Sequence, residues 1–459
     1  MQNMSLEQIT SAIGGTYYGD RTLKHLNISG VAIDSRKIKT DFLFVPIKGA
    51  RVDGHDFIRE VMNEGALCAL SERPLEGVSF PYILVDSCEQ ALKSLAKYYR
   101  STLDIKVIGI TGSVGKTSTK EMVAAVLEQK FNVLKTSGNF NNEIGLPLTV
   151  FNIRAEHEIA ILEMGISEFG EMHRLAEIAQ PDLGIITNIG MAHMENLGSR
   201  EGILQAKTEM FDHLKPDAHV VLNGDDDMLS TISDVNGRRP SFFGLSETCD
   251  IYASDLCDLG LNGTECRIHL PSGELTVTVP VPGQHMVYNA LAGAYTGLLM
   301  GLDPLQIKTG IESFTPVAGR NNIIKTGQLT IIDDCYNANP ISMKASLDIL
   351  GNDQHRKVAV VGDMFELGTD EKELHEEVGR YAAAKGIDAI YCIGTLAEEI
   401  YHGAKSAATE RTAILHFSTK ENFLEQIAKL FQKDDTILVK ASNGMKFSEI
   451  VSALKEWNC

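Results

Sequence analysis

The segment Ile108-Gly-Ile-Thr-Gly-Ser-Val-Gly-Lys-Thr-Ser118 constrains this chain more than any other feature. It follows an apolar run, Lys106–Ile110, that reads as a buried strand. It opens a stretch with Met122, Val123, Val126 and Leu127 on one helical face. Strand, glycine-rich turn and helix are together the context a phosphate-binding loop requires. Gly112 and Gly115 carry no Cβ, so backbone N–H groups can approach phosphate oxygens. Lys116 has the reach to the β- and γ-phosphates, and the Thr117 hydroxyl can ligate Mg2+. The candidate ATP-binding loop is thus Thr111, Gly112, Ser113, Val114, Gly115, Lys116, Thr117 and Ser118. Its spacing departs from GxxxxGK[ST], because position 110 is Ile. That argues against an ordinary switch GTPase or nucleotide kinase.

The rest of the chain frames this loop. At 459 residues it is long enough for two to four domains. Apolar runs alternate with helical patterns, the mark of α/β architecture. The first part carries runs at Gly30–Ile33, Phe42–Ile47, Ala66–Leu70 and Tyr82–Val85, then a helix over Cys88–Tyr99. The second has strands at Lys106–Ile110, Ile159–Leu162, Leu183–Thr187 and His219–Leu222. Strands apolar on both faces suit a buried parallel sheet. Glu265–Leu270 and Glu274–Val279 alternate around Pro271-Ser272-Gly273, a hairpin signal, and a helix follows over Tyr288–Met300. The third part, from near Pro316, has strands at Leu329–Ile332, Lys357–Val361, Ala389–Ile393 and Thr436–Val439, and a helix opened by Pro340. It is Rossmann-like but has no GxGxxG, so no dinucleotide is indicated.

Charge and composition exclude several classes. A formal net charge of −19 disfavours sequence-independent nucleic-acid binding. The eight cysteines include no CxxC pair and read as free thiols. The opening MQNMSLEQIT lacks the basic and apolar regions of a secretory signal, and no run of 18 apolar residues occurs. The expectation is a cytoplasmic protein with no membrane insertion.

Polar residues follow the later strands, where open parallel sheets bind ligands. Glu163 ends one apolar run, and a carboxylate there can hold Mg2+ against ATP or simply be solvated. His193 lies in the loop after the third strand, and a lone loop histidine is more often bland than a ligand. A helical lysine such as Lys207 ordinarily lies on a solvated face. Asp333-Asp-Cys-Tyr-Asn-Ala-Asn-Pro340 reads as a ligand loop or a capped turn.

Taken together these segments resemble the ATP-dependent Mur ligases of bacterial cell-wall synthesis, over nearly the whole chain and in order. Asp34-Ser-Arg36, Phe42-Leu-Phe-Val45, Lys48-Gly49 and Asp53-Gly-His-Asp-Phe57 resemble the family's uridine-nucleotide domain. Thr136-Ser-Gly-Asn-Phe-Asn-Asn-Glu-Ile-Gly-Leu-Pro147 resembles its substrate loop. Asp333–Pro340 with Ser342-Met343, and Gly362-Asp-Met-Phe-Glu-Leu-Gly368, point within the family to the addition of D-alanyl-D-alanine.

The resemblance implies three α/β domains. A UDP-substrate-binding domain would span 1–102, a central phosphate-loop ATPase domain with a parallel sheet 103–315, and a Rossmann-like ligase domain 316–459. It implies that ATP drives joining of D-alanyl-D-alanine to the terminal carboxylate of UDP-N-acetylmuramoyl-tripeptide through an acyl phosphate. Glu163 and His193 match the family's Mg2+ residues, and Lys207 its carbamylated lysine, which supports a second Mg2+; Thr117 completes the metal set. Lys116, Lys207, His193 and Arg320 become the catalytic set. Asn289 matches the adenine contact, Arg320 a phosphate contact and Asp334 the ribose contact. Ser35, Arg36, Lys48, Asn139 and Asn142 would hold the UDP substrate, and Tyr336, Asn337 and Asn339 the dipeptide. The partners are small molecules, and a monomer is expected. The chain departs from the family at Thr40, Met286 and Cys335, and at Lys440-Ala-Ser-Asn443, where a cation is lost. The alternatives are another amide ligase of the superfamily, which includes folylpolyglutamate synthase, or a phosphate-loop ATP switch.

Overall fold

The expected apolar runs are all strands, some with shifted ends. The computed structural model describes residues 1, 3–49, 51–191, 194–409 and 411–457. They group into two units, one of residues 1–111, 131–185 and 206–220, the other of residues 112–130, 186–205 and 221–459.

In the first unit, five strands lie in the order Thr16–Tyr18, Tyr82–Leu84, Cys68–Ser71, Phe42–Phe44, Gly30–Ala32. The Thr16–Tyr18 pairing is antiparallel and the others are parallel. Helix Cys88–Ser101 begins where Ser87 accepts the Gln90 N–H, and it buries Leu92, Leu95, Ala96 and Tyr99. Farther along the same unit, Lys106–Thr111 pairs in parallel with Ile159–Glu163, which pairs in parallel with Val133–Lys135. All five residues of Ile159–Glu163 are buried. That is why this strand reads as a continuous apolar run up to Glu163.

In the second unit, helix Lys116–Leu127 packs on helix Gln284–Leu299. The approach is close because Gly293 and Gly297 face it. A Cβ on Gly297 would come 2.8 Å from Val126 Cγ1. Strands Ser241–Gly244 and Ile251–Asp258 run parallel, and the hairpin Thr264–Leu270 with Gly273–Val279 adds to them antiparallel. The last sheet has the order Asn322–Lys325, Thr330–Asp333, Thr436–Lys440, Lys357–Gly362, Ala389–Ile393, Ala413–Phe417. Only its first pairing is antiparallel. Apolar cores cover both of its faces, one around Leu347, Val361 and Ile390, the other around Val360, Val439 and Phe447.

Four strands that the sequence reading did not anticipate, Thr16–Tyr18, Val133–Lys135, Asn322–Lys325 and Ala413–Phe417, end their sheets, while two more, Ser241–Gly244 and Ile251–Asp258, do not. None of the four shows a continuous buried run. An edge strand needs no such run, so it leaves no such signal.

Candidate active site

The phosphate loop is shaped by two glycines and braced by the segment after strand Leu183–Ile186. Gly112 has φ +151°, and a Cβ there would fall 1.9 Å from Thr187 Oγ1. Gly115 has φ +82° and precedes helix Lys116–Leu127 with no side-chain cap. The first turn of that helix therefore faces the loop without a competing capping oxygen, as an anion receptor must. Lys116 is half-buried, and its Nζ donates to the Gly112 carbonyl at 2.8 Å. Thr117 is 5% exposed. The Thr111 Oγ1 is buried with no hydrogen-bond partner among the described residues.

Asn188 is a bracing residue that the sequence reading missed. Its carbonyl accepts the Ser113 N–H at 3.1 Å, and its Oδ1 accepts the Val114 N–H at 3.0 Å. Asn188 Nδ2 and the Thr187 hydroxyl both donate to the Val114 carbonyl, at 3.0 and 2.7 Å. The Ser113 hydroxyl donates to the Gly190 carbonyl at 3.0 Å. Two loop amides that the sequence offers to phosphate are thus already engaged by Asn188.

Glu163 is 1% exposed and Lys207 is 2% exposed, so neither is the solvated residue that its local sequence suggests. Strand pairing buries the first, and the helix face the second. Glu163 Oε1 accepts from Asn141 Nδ2 at 2.8 Å, and its N–H donates to Thr136 Oγ1 at 3.0 Å. The substrate-like loop therefore contributes through Asn141, a residue not singled out from sequence. His193 lies outside the described residues.

The other nucleotide candidates are placed as follows. Asn289 is 6% exposed; its Oδ1 accepts the Thr119 hydroxyl at 2.8 Å, and its Nδ2 points to Met286 Sδ at 3.2 Å. Arg320 stacks its guanidinium over the Tyr336 ring, 4.1 Å from the centroid. Asp334 is already bonded on both oxygens. Oδ1 accepts the Asn321 N–H at 3.1 Å, and Oδ2 accepts the Ser346 hydroxyl at 2.7 Å and the Lys440 ammonium. Lys440 is 2% exposed, and it also donates to the Asn337 carbonyl at 3.0 Å.

Asn339 is a helix cap. Its Oδ1 accepts the Ser342 N–H at 2.9 Å, and its own N–H donates to Ser342 Oγ at 3.1 Å, with Pro340 in the first turn. Cys335 donates to Asp333 Oδ1 at 3.1 Å. Burial first, then the Asp333 carboxylate, push its thiol far above the ordinary range, so it stays protonated.

The UDP-substrate candidates lie in the first unit. Asp34 holds Arg36 through Nε at 2.9 Å and Nη2 at 2.8 Å, with the guanidinium side chain 85% exposed. Ser35 begins the short turn of helix that carries Arg36. Lys48 is exposed, and its backbone pairs with that of Asp53 in an isolated antiparallel β-bridge. Asn139 is exposed. Asn142 is exposed as a residue, but its Oδ1 accepts the Ile144 and Gly145 N–H groups at the start of helix Gly145–Phe151.

Fold and loop together define a phosphate-loop nucleotide-binding protein built from α/β domains. Comparison with known proteins sharpens this. The model of the Mur ligase family catalytic domain matches residues 27–100, that of the Mur ligase middle domain residues 110–297, and that of the Mur ligase glutamate ligase domain residues 319–443. The UDP-N-acetylmuramoyl-tripeptide–D-alanyl-D-alanine ligase of Bacillus subtilis is 40% identical over 434 residues, covering 94% of this chain and 93% of that protein. The crystal structure of MurF from Acinetobacter baumannii superposes with a TM-score of 0.91 at 31% identity, covering 99% of both chains. MurF ligase from Thermotoga maritima, solved in complex with ADP, gives 0.82 at 32% identity, covering 93% of this chain and 97% of that one. The chain belongs to the Mur ligase family.

Proposed function

We propose that this chain joins D-alanyl-D-alanine to the terminal carboxylate of UDP-N-acetylmuramoyl-tripeptide, using ATP and releasing ADP and phosphate. The observation that carries the reading is the glycine-opened loop 111–118 on an uncapped helix, in a chain similar over its length to ligases of that name. The acceptor's carboxylate oxygen attacks the γ-phosphorus, its bond to ADP breaks, and an acyl phosphate forms. The dipeptide amine then attacks the acyl carbon and loses a proton, and phosphate leaves with the electron pair of the broken C–O bond.

The chain's task is to position reactants and neutralise charge. Lys116, folded onto the loop, and Arg320, held on Tyr336, are the cations assigned to the phosphates. Asn289 is assigned to adenine, Asp334 to ribose, and Thr111 to Ser118 to the phosphate tail. Ser35, Arg36, Lys48, Asn139 and Asn142 are assigned to the UDP substrate, and Tyr336, Asn337 and Asn339 to the dipeptide. Asn339 and Asn142 also carry the helix-start bonds described above, so their roles there are partly in shaping the loops. The buried Glu163 carboxylate, oriented by Asn141, is an oxygen donor that suits Mg2+. Thr117, His193 and a carbamylated Lys207 would complete a two-metal set. Bound Mg2+ supplies charge neutralisation at the phosphates.

The domain limits proposed are 1–102, 103–315 and 316–459. A cytoplasmic monomer fits a chain in which no described helix is long and apolar enough to cross a membrane. Nucleic acid is not a proposed partner, given the net charge of −19.

The test is phosphate release from purified protein with ATP, Mg2+, UDP-tripeptide and D-alanyl-D-alanine, omitting one component at a time. All four are expected to be required. Full stimulation by glutamate or a diamino acid in place of the dipeptide would overturn the assignment. Bicarbonate is expected to raise the rate through Lys207, and a Lys207→Ala variant that still responds to it would remove that role.

A further inference from the structure

The turn that carries Arg320 is held on both sides. Gly319 and Asn321, which flank the arginine, both adopt left-handed backbone, with φ +79° and +50°. Each N–H donates to one of two adjacent carboxylates: Gly319 to Asp333 Oδ2 at 2.9 Å, Asn321 to Asp334 Oδ1 at 3.1 Å. The Gly319 carbonyl accepts the Tyr336 N–H at 3.0 Å, which places the ring under the guanidinium. Asparagine tolerates this conformation better than most residues, yet backbone tolerance does not explain its side chain.

That side chain is buried, with the residue 6% exposed. It meets His285 Nε2 through Nδ2 at 3.0 Å, while Oδ1 has no hydrogen-bond partner among the described residues. His285 lies four residues before Asn289, and its ring packs over Gly283, where a Cβ would come 2.8 Å from Nδ1. Where Nδ2 donates, Nε2 accepts, and a neutral imidazole then carries its proton on Nδ1. The charges that act on His285 are Asp334 and Lys440, and Asp258, Tyr288 and Asp348 line the same cavity. The amide therefore ties the arginine turn to the helix start that carries the adenine candidate.

We propose that Asn321 is a positioning residue: the hydrogen bond between its side-chain amide and His285 fixes the turn so that Arg320 is aimed at the nucleotide phosphates. The inference rests on the phosphate role assigned to Arg320 above. A misaimed cation costs rate out of proportion to the displacement, because charge stabilisation in the transition state depends on preorganised geometry.

Two variants of the full chain test it. Asn321→Gly keeps the left-handed turn and removes the amide. It is expected to lower kcat on the order of 10-fold with KM for ATP little changed, as for an interaction used in the transition state. Asn321→Asp replaces the donor with a carboxylate, which is repelled by an unprotonated Nε2 and is held more strongly by an imidazolium than by the neutral Nε2–H tautomer. Its activity relative to wild type is expected to be low near about pH 8 and to recover towards about pH 6. Adding His285→Ala should abolish the recovery. Wild-type kcat in Asn321→Gly, or a pH-independent loss in Asn321→Asp, overturns the proposal. Arg320→Ala, run alongside, separates the two levels. If it is fully active, the phosphate role of Arg320 fails. If it is inactive while Asn321→Gly is unimpaired, only the positioning role fails.

Discussion

Two helix starts at the carboxyl ends of strands solve the same problem in opposite ways. Helix Lys116–Leu127 begins on Gly115 with no side-chain cap. Helix Pro340–Gly351 begins on Asn339 with a reciprocal capping box to Ser342. Both follow loop-forming sequence; from sequence the first looks like a ligand site and the second like a ligand loop or a capped turn. The difference is that the second spends its polar groups internally. Asn339 caps, Asp333 and Asp334 hold the 319–321 turn, and Lys440 neutralises Asp334. A dense polar motif can thus be scaffolding for a neighbour, here the arginine turn. A sparse glycine-rich one keeps its helix end open to a ligand.

The largest effect should come from the open end. Lys116→Ala is expected to cut ATP-dependent phosphate release by at least about 10³-fold, comparable to loss of a major transition-state contact. Its melting temperature should stay close to wild type, and near-normal turnover would remove the loop from the mechanism. Next comes Gly112→Ala. The new Cβ would meet Thr187 Oγ1 in a backbone region that L-residues rarely adopt. We expect loss of nucleotide binding, read by calorimetry with ADP, together with about 1–3 kcal/mol of destabilisation.

At the capped end the expectation is reversed. Asn339→Ala should cost about 1 kcal/mol of stability in urea titration and leave ADP affinity unchanged. If its stability is untouched while KM for the dipeptide rises, Asn339 acts on the dipeptide without serving as a cap and the contrast weakens.

The smallest effect is a pH dependence of stability near the capped region. Buried His375 accepts the Met364 N–H at 2.9 Å and bonds the Glu371 carbonyl at 2.6 Å, so it braces the Gly362–Gly368 loop while neutral. Burial, the leading cause, lowers its pKa, against the Glu371 carbonyl and the Asp363 carboxylate, which raise it. The unfolded chain binds more protons below its ordinary value of about 6.5, so stability should fall as pH drops through that value. His375→Asn should flatten this slope between about pH 6.5 and 5.5; an unchanged slope assigns it elsewhere.

Much of this molecule was legible in its residues. Most interior strands and the phosphate loop announced themselves because burial on both faces demands an unbroken apolar run, and because a phosphate cradle demands glycine at fixed places; Ser241–Gly244 and Ile251–Asp258, inside their sheet, did not. The edge strand Gly273–Val279 was legible through its hairpin alternation, but four other edge strands were not, since a half-solvated strand needs no such run. Nor were Asn141, Asn188 and Asn321, which are ordinary polar residues until the fold brings Glu163, the loop amides and His285 within reach.

The sequence alone determined the α/β alternation, the resemblance to the family and the glycine-rich strand–turn–helix of 111–118, because these depend on local periodicity and contiguous motifs. Only tertiary structure decided that Glu163 and Lys207 are buried, and that Asp334 is already paired with Lys440. Those outcomes turn on which donors meet which acceptors away from water, and hydrogen bonds across 22 to 106 residues of chain leave no local trace in the sequence.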